Sequence, residues 1–172
     1  AMTPEQRLVT LKEQAEAEPD KAEIWYALAR GYLQTEKYQQ AREAYDRVLL
    51  LVGEDPQVLA EYAQSLFLVN GNRMDDEVRA LIERAIAVVP VNGTALGLRG
   101  IDAFDRKQYA QAINYWQQII DAMSPGEEVR AITAGIERAK QLLEQQTGIA
   151  AAVPQTDQQA EASLLIKVSL SE

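Results

Sequence analysis

Between Ala22 and Pro56, large and small residues recur at a spacing that a pair of packed helices satisfies and a strand does not. Trp25, Leu28, Ala29 and Tyr32 fall at i, i+3, i+4 and i+7 and so share one stripe of a first helix. After a turn at Glu36-Lys37, Tyr38, Ala41, Tyr45 and Val48 give a second helix, with small Ala41 where the two axes must approach closely. A hairpin of this kind leaves apolar surface uncovered until a neighbour stacks on it. One copy therefore predicts others.

They are present. In a third pair, Leu96, Gly100 and Ala103 lie on one helix and Tyr109, Ala112, Trp116 and Ile119 on the next. Gly100 to Ala112 spans 12 residues, as does Ala29 to Ala41, and the following steps, Ala112 to Trp116 and Ala41 to Tyr45, are both 4. A weaker second pair opens at Asp55-Pro56, with Leu59, Tyr62, Ala63 and Leu66 inward, a longer turn from Asn70 to Asp76, then Val78, Ile82, Ala85 and Ile86. The pattern W-x2-L-A-x2-Y, then Y-x2-A-x3-Y, then a closing proline is the tetratricopeptide (TPR) signature. The fold class is all-α: a TPR superhelix of three pairs, about 21–54, 55–90 and 91–124.

The ends read as caps. Thr3-Pro4-Glu5-Gln6 is a helix start with Gln6 at the capping-box position, and Leu8, Leu11 and Ala15 give a helix over 4–18 that covers the first pair. Asp20 and Glu23 are expected to cap the next helix. Ser124-Pro125-Gly126-Glu127 reads as another capping box, opening a C-terminal helix over 125–146 with Val129, Ile132, Ile136, Ala139 and Leu143 facing the stack. From 147 to 161 the Ala/Gln/Thr composition with Pro154 predicts a linker. In 162–172, Leu164, Ile166, Val168 and Leu170 alternate with Ser163, Leu165, Lys167 and Ser169, which predicts a lone β-strand stub opening a further domain. It is expected to pair with a neighbouring chain or lie against the helical body. Ala1-Met2 reads as a cloning remnant, and a membrane anchor or targeting segment is expected upstream.

Composition excludes several classes of function. A net charge of −9 argues against nucleic acid, whose binding depends on cationic side chains displacing counterions. With no cysteine and no histidine, the usual zinc, iron–sulfur and haem ligands are missing, and Cys-His or Ser-His catalysis cannot be assembled. No cofactor, metal or catalytic residue is expected. Zero cysteine suits a protein that handles a partner's reactive thiols without forming mixed disulfides.

In stacked pairs of this kind the first helices line a concave face. Register places Tyr26, Arg30 and Leu33 there from the first pair, Ala60, Gln64 and Phe67 from the second, and Gly97, Leu98, Ile101 and Phe104 from the third. This mostly apolar set suits the apolar face of an amphipathic helix or an extended peptide. Phe67 and Phe104 either face that groove or lie under the flanking helices, while Trp25, Tyr45 and Trp116 read as packing residues. Tyr26, Arg30, Ala60, Glu61 and Gln64 stand where chaperone-tail TPR domains carry lysines and asparagines, so a terminal-carboxylate clamp is not expected.

Thr94–Phe104 and Tyr109–Ile120, preceded by the stretched turn before Val78–Ile86, resemble the periplasmic TPR domain of cytochrome c maturation haem-lyase subunits: the CcmI-type apocytochrome c chaperones and the NrfG-type subunit of nitrite reductase assembly. The likeness covers about residues 4 to 146, and the terminal stub resembles the start of the extra domain of the CcmI-type proteins. It implies a non-enzymatic holdase in the periplasm, anchored at the inner membrane. Such a protein captures the C-terminal helix of apocytochrome c and presents it to the membrane haem-ligation complex. A general TPR assembly scaffold for another envelope complex is the alternative.

Overall fold

The computed structural model describes residues 1–152, with side chains to Ile149. The expected strand and most of the expected linker lie outside the described residues. Among the described residues eight helices follow one another: α1 (Pro4–Ala17), α2 (Ala22–Gln34), α3 (Tyr38–Val52), α4 (Pro56–Val69), α5 (Asp76–Val88), α6 (Gly93–Asp105), α7 (Tyr109–Ala122) and α8 (Glu127–Ala152). They pack as the TPR pairs α2/α3, α4/α5 and α6/α7, with α1 against α2 and α8 against α7.

The turns inside the pairs share one construction. In each, a residue just past the first helix takes a positive φ and the next amide reaches back five residues: Lys37 to the Tyr32 carbonyl (2.8 Å), Asn72 to Phe67 (2.9 Å) and Gln108 to Ala103 (2.8 Å). This Schellman closure satisfies the last carbonyls of the helix. Gly71 fills the left-handed position in the second pair, whereas Glu36 (φ 58°) and Lys107 (φ 61°) fill it in the first and third at some conformational cost. Side chains start three of the helices, two between pairs and one inside the second pair. Asp55 accepts from the Gln57 and Val58 amides, Asp75 from Val78 and Asn92 from Ala95.

The capping box at Thr3 and Gln6 forms in both directions. Two other expected caps do not. Lys21 stands at the N-cap of α2 with no side-chain hydrogen bond, so neither Asp20 nor Glu23 caps it. At α8 the Arg130 amide closes the first turn on the Gly126 carbonyl, so the helix starts from Gly126 rather than from a Ser124 box. The same helix continues to Ala152, through six positions where composition predicts linker, because Thr147–Ala152 holds no proline and its three alanines favour the helix despite Gly148.

The core runs from α2 to α6 and centres on Tyr45, which is fully buried with its ring edge-on to Tyr26 and stacked on Tyr62. Ala29, Ala41, Ala63, Ala85 and Ala112 are each 0 % exposed, as the close approach of helix axes requires. Ile136 and Ala139 of α8 are buried in turn. Among the described residues, no helix is long and apolar enough to cross a membrane.

Candidate functional site: an apolar trough between α4, α6, α7 and α8

An open cavity of about 690 Å³ lies in the C-terminal half of the stack. Its floor is α6, contributing Gly93, Gly97, Leu98 and Ile101; α7 adds Trp116 and Ile119; α8 adds Glu128, Ala131, Ile132 and Gly135; and α4 contributes Gln57 and Gln64 from the opposite wall.

The floor is recessed because α6 carries glycine where the trough opens. A Cβ on Gly97 would meet nothing nearer than Ile119 Cδ1 at 3.9 Å, and one on Gly93 nothing nearer than Ile119 Cγ2 at 4.0 Å. Gly100, one turn on, serves a different end: a Cβ there would sit 2.1 Å from Trp116 Nε1. The indole lies in the notch that glycine leaves, donates from Nε1 to the Gly97 carbonyl at 3.3 Å, and is flanked by Gly135 of α8. Phe104 packs against Trp116 and edge-on to Tyr109. Trp116 thus both packs and faces the trough, half-buried, where the sequence reading assigns it packing alone.

Toward the N-terminal half the concave face is closed. Ala60 is 0 % and Phe67 8 % exposed, so both belong largely to the core; Leu98, on the trough floor, is 5 % exposed and packs on the same core. A charged residue at Phe67 or Leu98 would unfold the stack before it tested a partner. Tyr26 is engaged by Glu61, a buried carboxylate that accepts from the Tyr45 hydroxyl (2.7 Å), the Gln57 amide (2.7 Å) and the Tyr26 hydroxyl (3.1 Å). Arg30 stands exposed above it, 4.0 Å from a Glu61 oxygen. Burial, then the neighbouring carboxylate, pushes the Tyr26 and Tyr45 hydroxyls above the usual tyrosine range. The network goes on: Gln57 accepts from Asn92 at 3.1 Å, and Asn92 caps α6. One hydrogen-bonded line therefore runs from the first pair to the rim of the trough.

Of the ten residues expected on a single groove, the structure brings Gln64, Gly97, Leu98 and Ile101 together. Leu33 packs half-buried on the core and Phe104 supports Trp116 from behind. Sequence reasoning missed Trp116, Ile119, Ile132 and Gly135. The signal available was the glycine at Gly135 on the packed face of α8, which marks a close approach by something large.

Residues 5–130 match the family described as cytochrome c-type biogenesis protein H TPR domain. The chain belongs to this family. Among relatives of this cytochrome c-type biogenesis TPR domain, CycH of Pseudomonas aeruginosa is 34 % identical over 171 residues, 98 % of this chain and 41 % of that protein. The formate-dependent nitrite reductase complex subunit NrfG of Escherichia coli O157:H7 is 34 % identical over 139 residues, 81 % of this chain and 70 % of that protein. The chain thus spans less than half the length of CycH. Solved structures with the same fold include the first TPR of Spaghetti (RPAP3) bound to an HSP90 peptide, at TM-score 0.60 and 17 % identity over 72 % of this chain and 95 % of that one. MamA from Desulfovibrio magneticus RS-1 gives TM-score 0.60 and 20 % identity over 86 % and 84 %.

Proposed function

We propose that this domain is an apocytochrome c holdase: it takes the apolar face of the client's C-terminal helix into the trough and delivers the client to the haem-ligation complex in the periplasm, from a membrane-anchored parent protein. The observation that carries the reading is a trough of about 690 Å³, floored by Gly97, Leu98 and Ile101 and walled by Trp116 and Ile132, in a chain of the cytochrome c biogenesis family. An apolar recess of that size accepts one face of a short helix, read as anchors at i, i+3, i+4 and i+7. Glycine in the floor lets the guest backbone approach. The absence of cysteine fits a client that carries reduced CxxCH thiols.

Titrating the C-terminal helix peptide of a c-type cytochrome into the full chain tests this. Helical circular dichroism is expected to rise on binding, and Gly97→Leu, which fills the floor at a position where a Cβ meets only an ordinary contact with Ile119, is expected to weaken binding about thirty-fold, the effect of losing a central contact. Unchanged affinity in that variant would move the site elsewhere.

A second reading has its own observation. Leu50 is 78 % and Val88 57 % exposed near the C-terminal ends of α3 and α5, and neither lines the trough. An assembly scaffold that binds another envelope subunit would use such exposed apolar side chains, and Leu50→Ser with Val88→Ser would then abolish co-purification of the subunit while leaving peptide binding intact.

A further inference from the structure

We infer that the trough selects its guest by charge: it takes an amphipathic helix with Lys or Arg along the border of the apolar stripe that faces α8, and uncharged residues along the border that faces α4. This deepens the reading above and rests on it.

The two walls differ in kind. On the α8 side, Glu128 is the one ionisable residue lining the cavity, and it is exposed. None of the ion pairs among the described residues includes it. Its place in the first turn of α8, beside exposed Glu127, sets both carboxylates against the positive end of the helix dipole. On the α4 side the wall is neutral: Gln57 is held by Glu61 and Asn92, and Gln64 is half-buried. The floor carries no charge at all. Arg99, the cation of α6 nearest the floor in sequence, is turned to another face, where it pairs with Glu83 at 3.2 Å and lies over the Tyr115 ring.

A guest cation over Glu128 therefore meets a carboxylate that has no ion-pair partner among the described residues, at the margin of an apolar recess. A guest anion meets repulsion, reinforced by the chain's net charge of −9.

Two synthetic peptides separate the cases, sharing one Leu/Phe stripe and differing only in Lys or Glu along one border. With the full chain at low ionic strength, the Lys peptide is expected to bind about ten-fold more tightly, the gap narrowing at high salt. Glu128→Lys is expected to reverse that order. Equal affinities for the two peptides, or an order that Glu128→Lys leaves unchanged, would overturn the charge selection. If both peptides bind equally and Gly97→Leu blocks both, the trough stands and only this inference falls. If neither binds, the holdase reading falls with it.

Discussion

Gly97 and Gly100 stand one turn apart on α6 and have opposite duties. At Gly97 a methyl would meet only an ordinary van der Waals contact with Ile119, so Gly97→Ala is expected to raise stability by about 0.5–1 kcal/mol through helix propensity. At Gly100 the same methyl would strike the Trp116 indole, a rigid ring wedged against α8, and Gly100→Ala is expected to cost about 1–3 kcal/mol. Urea midpoints of the two variants check both signs. Glu61 is the other residue on which much depends, because its buried carboxylate answers two tyrosine hydroxyls and an amide, the Tyr45 hydroxyl among them fully buried. Glu61→Ala strands the buried Tyr45 hydroxyl and is expected to cost about 2–3 kcal/mol. Adding Tyr45→Phe should recover part of that loss, since the deepest stranded hydroxyl is then gone, and a double-mutant cycle reads the coupling directly.

At the level of elements, α8 is both a cap and a wall. Its buried Ile136 and Ala139 hold it to α7, while Glu128, Ala131, Ile132 and Gly135 on the same helix line the trough. Ile136→Ser therefore should do two things at once. It is expected to lower stability by about 2–4 kcal/mol, the cost of losing a buried aliphatic side chain, and to abolish guest binding under conditions where the chain is still folded. Retained peptide affinity in that variant would show that α8 is not part of the site. Elsewhere the elements are joined by polar contacts that spare the concave face. Arg79 of α5 grips Asp102 of α6 with two bonds of 3.0 Å and also reaches the Met74 carbonyl, fixing the angle between the second and third pairs.

The whole molecule carries three tyrosines whose neutral form the fold prefers. Burial, and then its hydrogen bond to Asp46, pushes the Tyr62 hydroxyl up to about 12, and Tyr26 and Tyr45 are raised through burial and Glu61. A phenol pKa that is higher folded than unfolded adds stability that is complete below the ordinary value near 10 and lost as pH climbs through the folded value. Helical circular dichroism is therefore expected to hold up to about pH 10 and to collapse between about pH 10 and 12. Loss of helix before any tyrosine ionises would contradict this.

The repeat was legible in the sequence because helix stacking leaves its mark on every turn. A small residue must stand wherever two axes approach, and the 12- and 4-residue steps around Ala29, Ala41, Gly100 and Ala112 record that requirement directly. The inward stripes and most helix starts follow from the same local physics, with Asp55, Asp75 and Asn92 as acceptors for free amides. The extent of the groove was not legible in this way. Register assigns ten residues to one concave face, but how far that face stays open depends on how tightly the second pair packs on the first. Buried Tyr45 and the Glu61 network close that half, while the long α8 comes back to wall the other. Local spacing determined which helices form and which sides of them turn inward. Only the tertiary packing decided where space was left for a guest, because an opening is set by the fit of side chains distant in sequence and no short-range pattern encodes it.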